Sequence, residues 1–174
     1  NNEYKVPVEV LMDYPFVGTS DEGRAMLQIV HDVAPGAELA FHTGIQSPRI
    51  FELAVKNLQA ANSDIIVDDI TFPLEPFFGE GRISAAIRDF TSKEVNLYFT
   101  SAGNFSNNAY QAKFLASGST PVTNFLGTGS PARAHVFGTT GGVSDVLQRI
   151  RVVPGVYMLV LQWEEPLASQ INDQ

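Results

Sequence analysis

The chain has 174 residues, of which 44% are hydrophobic, 10% aromatic and 17% charged. That length and apolar content suffice for one compact domain, or one domain with a small appendage, and exclude an intrinsically disordered chain. Acidic residues outnumber basic ones 19 to 11 and the basic residues are scattered singly, so a protein that tracks nucleic-acid phosphates is excluded as well.

In chain order, Val6 to Met12 alternates in a way that predicts a short strand, stopped at Asp13-Tyr14-Pro15. A polar turn, Gly18 to Asp21, leads into Glu22 to Val33. There Ala25, Met26, Ile29, Val30 and Val33 fall three to four apart, which predicts an amphipathic helix with Ser20 or Asp21 as N-cap. Ala34-Pro35-Gly36 ends it, and Glu38 to Thr43 reads as a strand. A loop, Gly44 to Pro48, precedes a second helix from about Arg49 to Ala61, with Ile50, Leu53, Ala54, Leu58 and Ala61 as its expected buried stripe. Ile65-Ile66-Val67, set between Asp64 and Asp68-Asp69, is an apolar β-branched run expected of a strand covered on both faces. Beyond the aromatic loop Phe72 to Phe78, a third helix presents Ile83, Ala86, Ile87 and Phe90, and Val95 to Thr100 closes the series as a strand.

The first hundred residues thus read β-α-β-α-β-α-β. Their simplest solution is an α/β fold, a parallel sheet with flanking helices and right-handed crossovers. Ligands in such folds sit beyond the carboxyl ends of the strands, which here carry Asp68-Asp69 and Ser101-Ala102-Gly103-Asn104. Asn107 to Gly142 is Gly-, Ser-, Thr- and Pro-rich and reads as an irregular connection. Val146 to Val153 and Val156 to Trp163, around Pro154-Gly155, predict an antiparallel β-hairpin or the start of a β-sandwich, with Trp163 in its core. The expected divisions are therefore 1–106, 107–142 and 143–174.

No cysteine is present, so disulfides, zinc–thiolate sites and cysteine nucleophiles are excluded together. His31, His42 and His135 are too dispersed to suggest a metal site, and His31 reads as a helix C-terminal dipole partner or a core residue. No apolar run approaches the roughly 20 residues of a membrane-spanning helix. The Asn-Asn-Glu opening, without an initiator Met or a basic-then-apolar leader, leads to the expectation that this is a piece of a longer protein.

Three motifs follow one another: Asp21-Glu22-Gly23-Arg24-Ala25-Met26 running into Val33-Ala34-Pro35-Gly36-Ala37, then Ile65-Ile66-Val67-Asp68-Asp69, then Thr100-Ser101-Ala102-Gly103-Asn104. In this order the chain, over roughly residues 18 to 105, resembles the subtilisin-like and sedolisin-like serine peptidase superfamily. There a helix carrying the general base leads into a V-A-P-x-A turn, a strand lines the substrate cleft, and a strand ending S-A-G-N supplies an oxyanion Asn. The resemblance implies a subtilisin-like three-layer fold. It places Glu22 in the general-base position, where subtilisins have His and sedolisins Glu, and Asn104 as oxyanion donor. The Asp that sedolisins pair with their Glu is replaced by Met26, so Asp21, Asp68 or Asp69 would have to raise or orient Glu22. Asp21 and Glu22 read equally as favourable charges at a helix N-terminus, Asp68 and Asp69 as a solvated strand end, and Gly103-Asn104 as a turn dipeptide.

Asp13 lies only nine residues before Glu22 and reads as a turn residue rather than the family's orienting Asp. Gly127-Thr128-Gly129-Ser130 resembles a nucleophile motif, but His135 to Gly142 cannot form the helix that should follow, so Ser130 reads as a loop serine. The tail resembles the opening of a β-sandwich insertion found in some subtilase-like proteins. The expected function is then a subtilase-like domain fragment, acting by acyl transfer on peptides or proteins in its intact, secreted parent, whether extracellular or periplasmic, and inactive as this chain alone. The rival is a non-catalytic α/β module that binds an extended peptide. No organic cofactor is implied; a calcium or magnesium site at Glu22, Asp68 and Asp69 would need oxygen ligands that the sequence cannot bring together.

Overall fold

The computed structural model describes residues 7–106, 108–118 and 133–163. The chain divides into two compact units, Asn1–Asn104 with Leu159–Gln174, and Phe105–Met158. The first unit runs β1 (Glu9–Met12), α1 (Glu22–Val33), β2 (Ala40–His42), α2 (Pro48–Ala60), β3 (Ile65–Asp68), α3 (Arg82–Thr91) and β4 (Leu97–Thr100). It is mixed α/β. The expected parallel sheet takes the form of two two-stranded ones: β1 pairs with β2, the register slipping between Val10 and Met12, and β3 pairs evenly with β4. Parallel neighbours need a long crossover, and α1 and α3 supply it.

Each helix start has its own chemistry. Ser47 caps α2, its Oγ accepting from the Ile50 N–H at 3.2 Å, and Pro48 occupies the first turn, where a missing N–H costs nothing. Asp21 precedes α1 without a side-chain cap bond and instead pairs with Arg24 at 3.6 Å. The N-cap of α3 is Gly81, which has no side chain to offer; Glu75 reaches back from the preceding loop and accepts from the Ile83 N–H at 3.3 Å. A Cβ on Gly81 would run into that carboxylate and lie 2.8 Å from Pro76 Cδ. Gly23 in α1 likewise lets the helix approach β2, because a Cβ there would stand 2.7 Å from the Phe41 ring.

The core joins Phe51 and Val55 of α2, Ile66 of β3, and Ala86 and Phe90 of α3, with Leu58, Ile70, Phe72, Ile83, Ile87 and Tyr98 packed around them. Phe72 meets Phe51 edge-on at 5.4 Å, within the favourable range for aromatic pairs. The buried stripe of α2 is rotated from the expected one: Phe51, Ala54 and Val55 are buried and Leu53 is exposed. Both stripes have helical spacing, and the position of α3 selects between them. On the sheet, Ile66 faces the helices, while Ile65, Val67, Leu97 and Phe99 are between 47% and 55% exposed. The expectation of a strand covered on both faces therefore fails among the described residues, because a β-branched run reads the same with one cover or two.

In the second unit, β5 (Gly138–Thr140) and β6 (Val143–Asp145) form an antiparallel hairpin around Gly141 and Gly142. Both glycines have positive φ, +59° and +80°, as the favoured two-residue hairpin turn demands. The expected hairpin around Pro154-Gly155 is not formed, since no described residue from 146 to 163 is in a strand; that bend is closed by the Tyr157 hydroxyl donating to the Val153 carbonyl at 2.6 Å. Proline fixes a negative φ, which Gly-Gly avoids. His135 organises the rest of this unit: Nδ1 accepts from the Leu115 N–H and Nε2 lies 3.0 Å from the Tyr110 hydroxyl, with the Phe137 ring edge-on at 4.7 Å. Trp163, which belongs to the first unit and was expected in a core, is 56% exposed.

Candidate functional site

The carboxyl ends of β3 and β4 hold a cluster of polar side chains. The register sets Ile66 level with Tyr98 and Asp68 level with Thr100, so these four side chains share the helix-facing side of the sheet. Asp68 consequently receives the Tyr98 hydroxyl on Oδ2 at 2.6 Å and the Thr100 hydroxyl on Oδ1 at 3.1 Å. Its Oδ1 also accepts from the Ile70 N–H at 3.1 Å, which turns the chain as it leaves the strand. Burial first, and then the hydrogen bond to Asp68 and its charge, push the Tyr98 hydroxyl well above the usual tyrosine range. It therefore remains a donor to the carboxylate through the neutral range.

Asp69, one residue on, accepts instead from the Ser101 hydroxyl. Two adjacent carboxylates thus hold three hydroxyls from the end of β4 and the first residue after it. From Ser101 the chain turns through Gly103, whose φ of +74° suits glycine, to Asn104. Asn104 is exposed, and its side-chain amide makes no hydrogen bond with any described residue.

Glu22 is the first residue of α1 and so stands at the carboxyl end of the β1–β2 sheet. It is exposed and bonds to no described side chain; Asp21 is engaged with Arg24, and Met26 is half-buried on the next turn. The structure joins Asp68 and Asp69 to Tyr98, Thr100 and Ser101, and does not join either to Glu22. Asp13 accepts from the adjacent Tyr14 N–H, as a turn residue does. Ser130 lies outside the described residues. Among the described residues no three His, Asp or Glu side chains converge as metal ligands.

Two features escaped the sequence. His42 is buried at the end of β2, with Nδ1 2.6 Å from its neighbour's carbonyl, that of Thr43, and Nε2 3.1 Å from Asn57 Nδ2. The carbonyl requires Nδ1 to carry the proton, which leaves Nε2 as the acceptor for the amide. Only the docking of α2 on β2 brings Asn57 there. The second is a groove of about 190 Å³ between α2, α3 and the ends of β3 and β4, lined by the apolar Phe51, Ile70, Phe72, Ile83 and Ile87 and by the polar Asp68, Glu75, Tyr98 and Thr100.

Compared with protein-family models, with curated proteins and with solved structures, the chain matches none. No described helix is long and apolar enough to cross a membrane.

Proposed function

We propose that this chain is part of a subtilase-like serine peptidase domain of a secreted protein, with Glu22 in the general-base position and Asn104 as the oxyanion donor. One observation carries the reading: β4 emerges beside β3 in parallel, and its Ser101-to-Asn104 turn, fastened by Asp69, leaves the Asn104 amide without a hydrogen bond to any described residue. A side-chain amide so placed can donate to a developing alkoxide. Asp68 and Asp69 serve in this reading to hold the turn. In this reading the acyl-transfer nucleophile is a serine of the intact parent outside these 174 residues, and the 174-residue chain alone hydrolyses no peptide bond.

A second reading has one observation in its favour. Glu22 lacks a carboxylate partner among the described residues, which suits a non-catalytic module that binds peptide without cleaving it. Treating the natural gene product with a fluorophosphonate and mapping the adduct by mass spectrometry separates the two. A labelled serine, with hydrolysis lost in Asn104→Ala, supports the peptidase. Absence of both labelling and hydrolysis, alongside peptide binding, replaces it with the binding module.

A further inference from the structure

We propose that the groove between α2, α3 and the carboxyl ends of β3 and β4 binds one basic side chain with a long aliphatic stem, lysine or arginine, presented by a peptide. Its volume of about 190 Å³ is below the roughly 300 Å³ at which drug-sized sites begin, so it admits a single side chain or a small amine. Most of its lining is apolar, and an aliphatic stem gains by covering it.

Charge selects the head group. Asp68 and Glu75 line the groove, and among the described residues no Lys, Arg or His does. Of the cations nearby, Lys56 and Arg82 both pair with Glu52, at 2.6 and 3.1 Å, and Arg88 pairs with Glu80. Glu52 is held below the usual carboxylate range by its hydrogen bond to Lys56 first, with the charges of Arg82 and Arg49 adding to it. Asp68 and Glu75 join none of the ion pairs formed among the described residues; their partners are neutral hydroxyls and backbone N–H groups. Two half-buried carboxylates lining one groove, with no cation in its lining among the described residues, complement an ammonium or guanidinium.

The wall is fixed in advance. Gln162 donates through Nε2 to the Pro73 and Glu75 carbonyls, each at 2.9 Å, and accepts from the Phe77 N–H at 2.8 Å. Both ends of one amide thereby hold the loop that carries Phe72, Glu75 and Pro76 against the groove. A wall already ordered lowers the entropy lost when a side chain enters.

The test is a titration of the ¹⁵N-labelled 174-residue chain with Nα-acetyl-lysine methylamide, and separately with its uncharged counterpart Nα-acetyl-norleucine methylamide. Saturable shifts at the Ile70, Ser84 and Thr100 amides are expected, with the lysine probe about tenfold tighter, as for two ion pairs near the upper end of surface values. Glu75→Gln should remove much of that preference, and Asp68→Asn is the second variant should the first disturb α3. Equal affinity for the two probes, or no shift in those amides at tens of millimolar probe, overturns the proposal. Binding is read without hydrolysis, so a negative result leaves the peptidase reading standing, and an inactive gene product leaves the groove untouched.

Discussion

Replacing Tyr98 with Phe tests the network at the ends of β3 and β4, because the hydroxyl is held by Asp68 and its ionisation is suppressed in the folded protein. Below about pH 10, the ordinary tyrosine value, the hydroxyl is protonated in both folded and unfolded chains and its stabilising contribution is fully present. Above pH 10 the unfolded chain releases that proton and the folded chain keeps it, so stability falls as pH rises toward the raised folded value. One full proton corresponds to about 1.4 kcal/mol per pH unit. Tyr98 is only half-buried, and solvent screening cuts this to about half, or about 1 kcal/mol between pH 10 and 11.5. Tyr98→Phe should cost about 1 to 2 kcal/mol at pH 7, through the lost bond to a charged acceptor, and should flatten the alkaline fall by that 1 kcal/mol. Urea unfolding followed by far-ultraviolet circular dichroism at pH 7, 9, 10, 11 and 11.5 measures both effects. Parallel curves for the two proteins above pH 10 would falsify the assignment of the Tyr98 proton to Asp68.

Three other outcomes follow from the same geometry. On the proposed peptidase reading, Asn104→Ala in the natural gene product should lower kcat by about 10²–10³ with KM little changed, a magnitude known for an oxyanion-hole donor of subtilisin; a fall confined to KM would place Asn104 in substrate binding instead. Phe90, fully buried between α3 and the sheet, should cost about 3–5 kcal/mol on replacement by Ala and much less by Leu, and urea midpoints that scarcely move would show that this core does not hold the unit together. Gln162→Ala should speed hydrogen exchange at the Phe77 amide, which loses its acceptor, and unchanged protection there would mean that the loop is held by other contacts.

The chain's own pattern located nearly every element of the first unit. The periodic run from Glu22 to Val33 is α1 without a residue's difference, and the second helix, expected from Arg49, begins at Pro48. Local rules suffice there, because a helix start needs a cap and a helix interior needs spacing, and both are written within a few residues. The hairpin follows a local rule: Gly141-Gly142 offers two positive-φ positions, and Pro154-Gly155 offers one. At the site, Asp68, Asp69 and Asn104 drew attention by standing at strand ends. The partners of Asp68 and Asp69, Tyr98, Thr100 and Ser101, lie about 30 residues away and became legible only once β3 and β4 were in register.

Sequence alone therefore determined the α/β alternation, the boundaries of α1, those of α2 to within a residue, and the residues that stand at the carboxyl ends of the strands. Tertiary structure decided which carboxylate holds which hydroxyl, which face of α2 is buried, that His42 meets Asn57, and that Asp68 and Glu75 line one groove. The physical reason is range. Capping, turn φ and side-chain period act between near neighbours, whereas register and helix docking juxtapose residues through contacts whose two halves are each unremarkable alone.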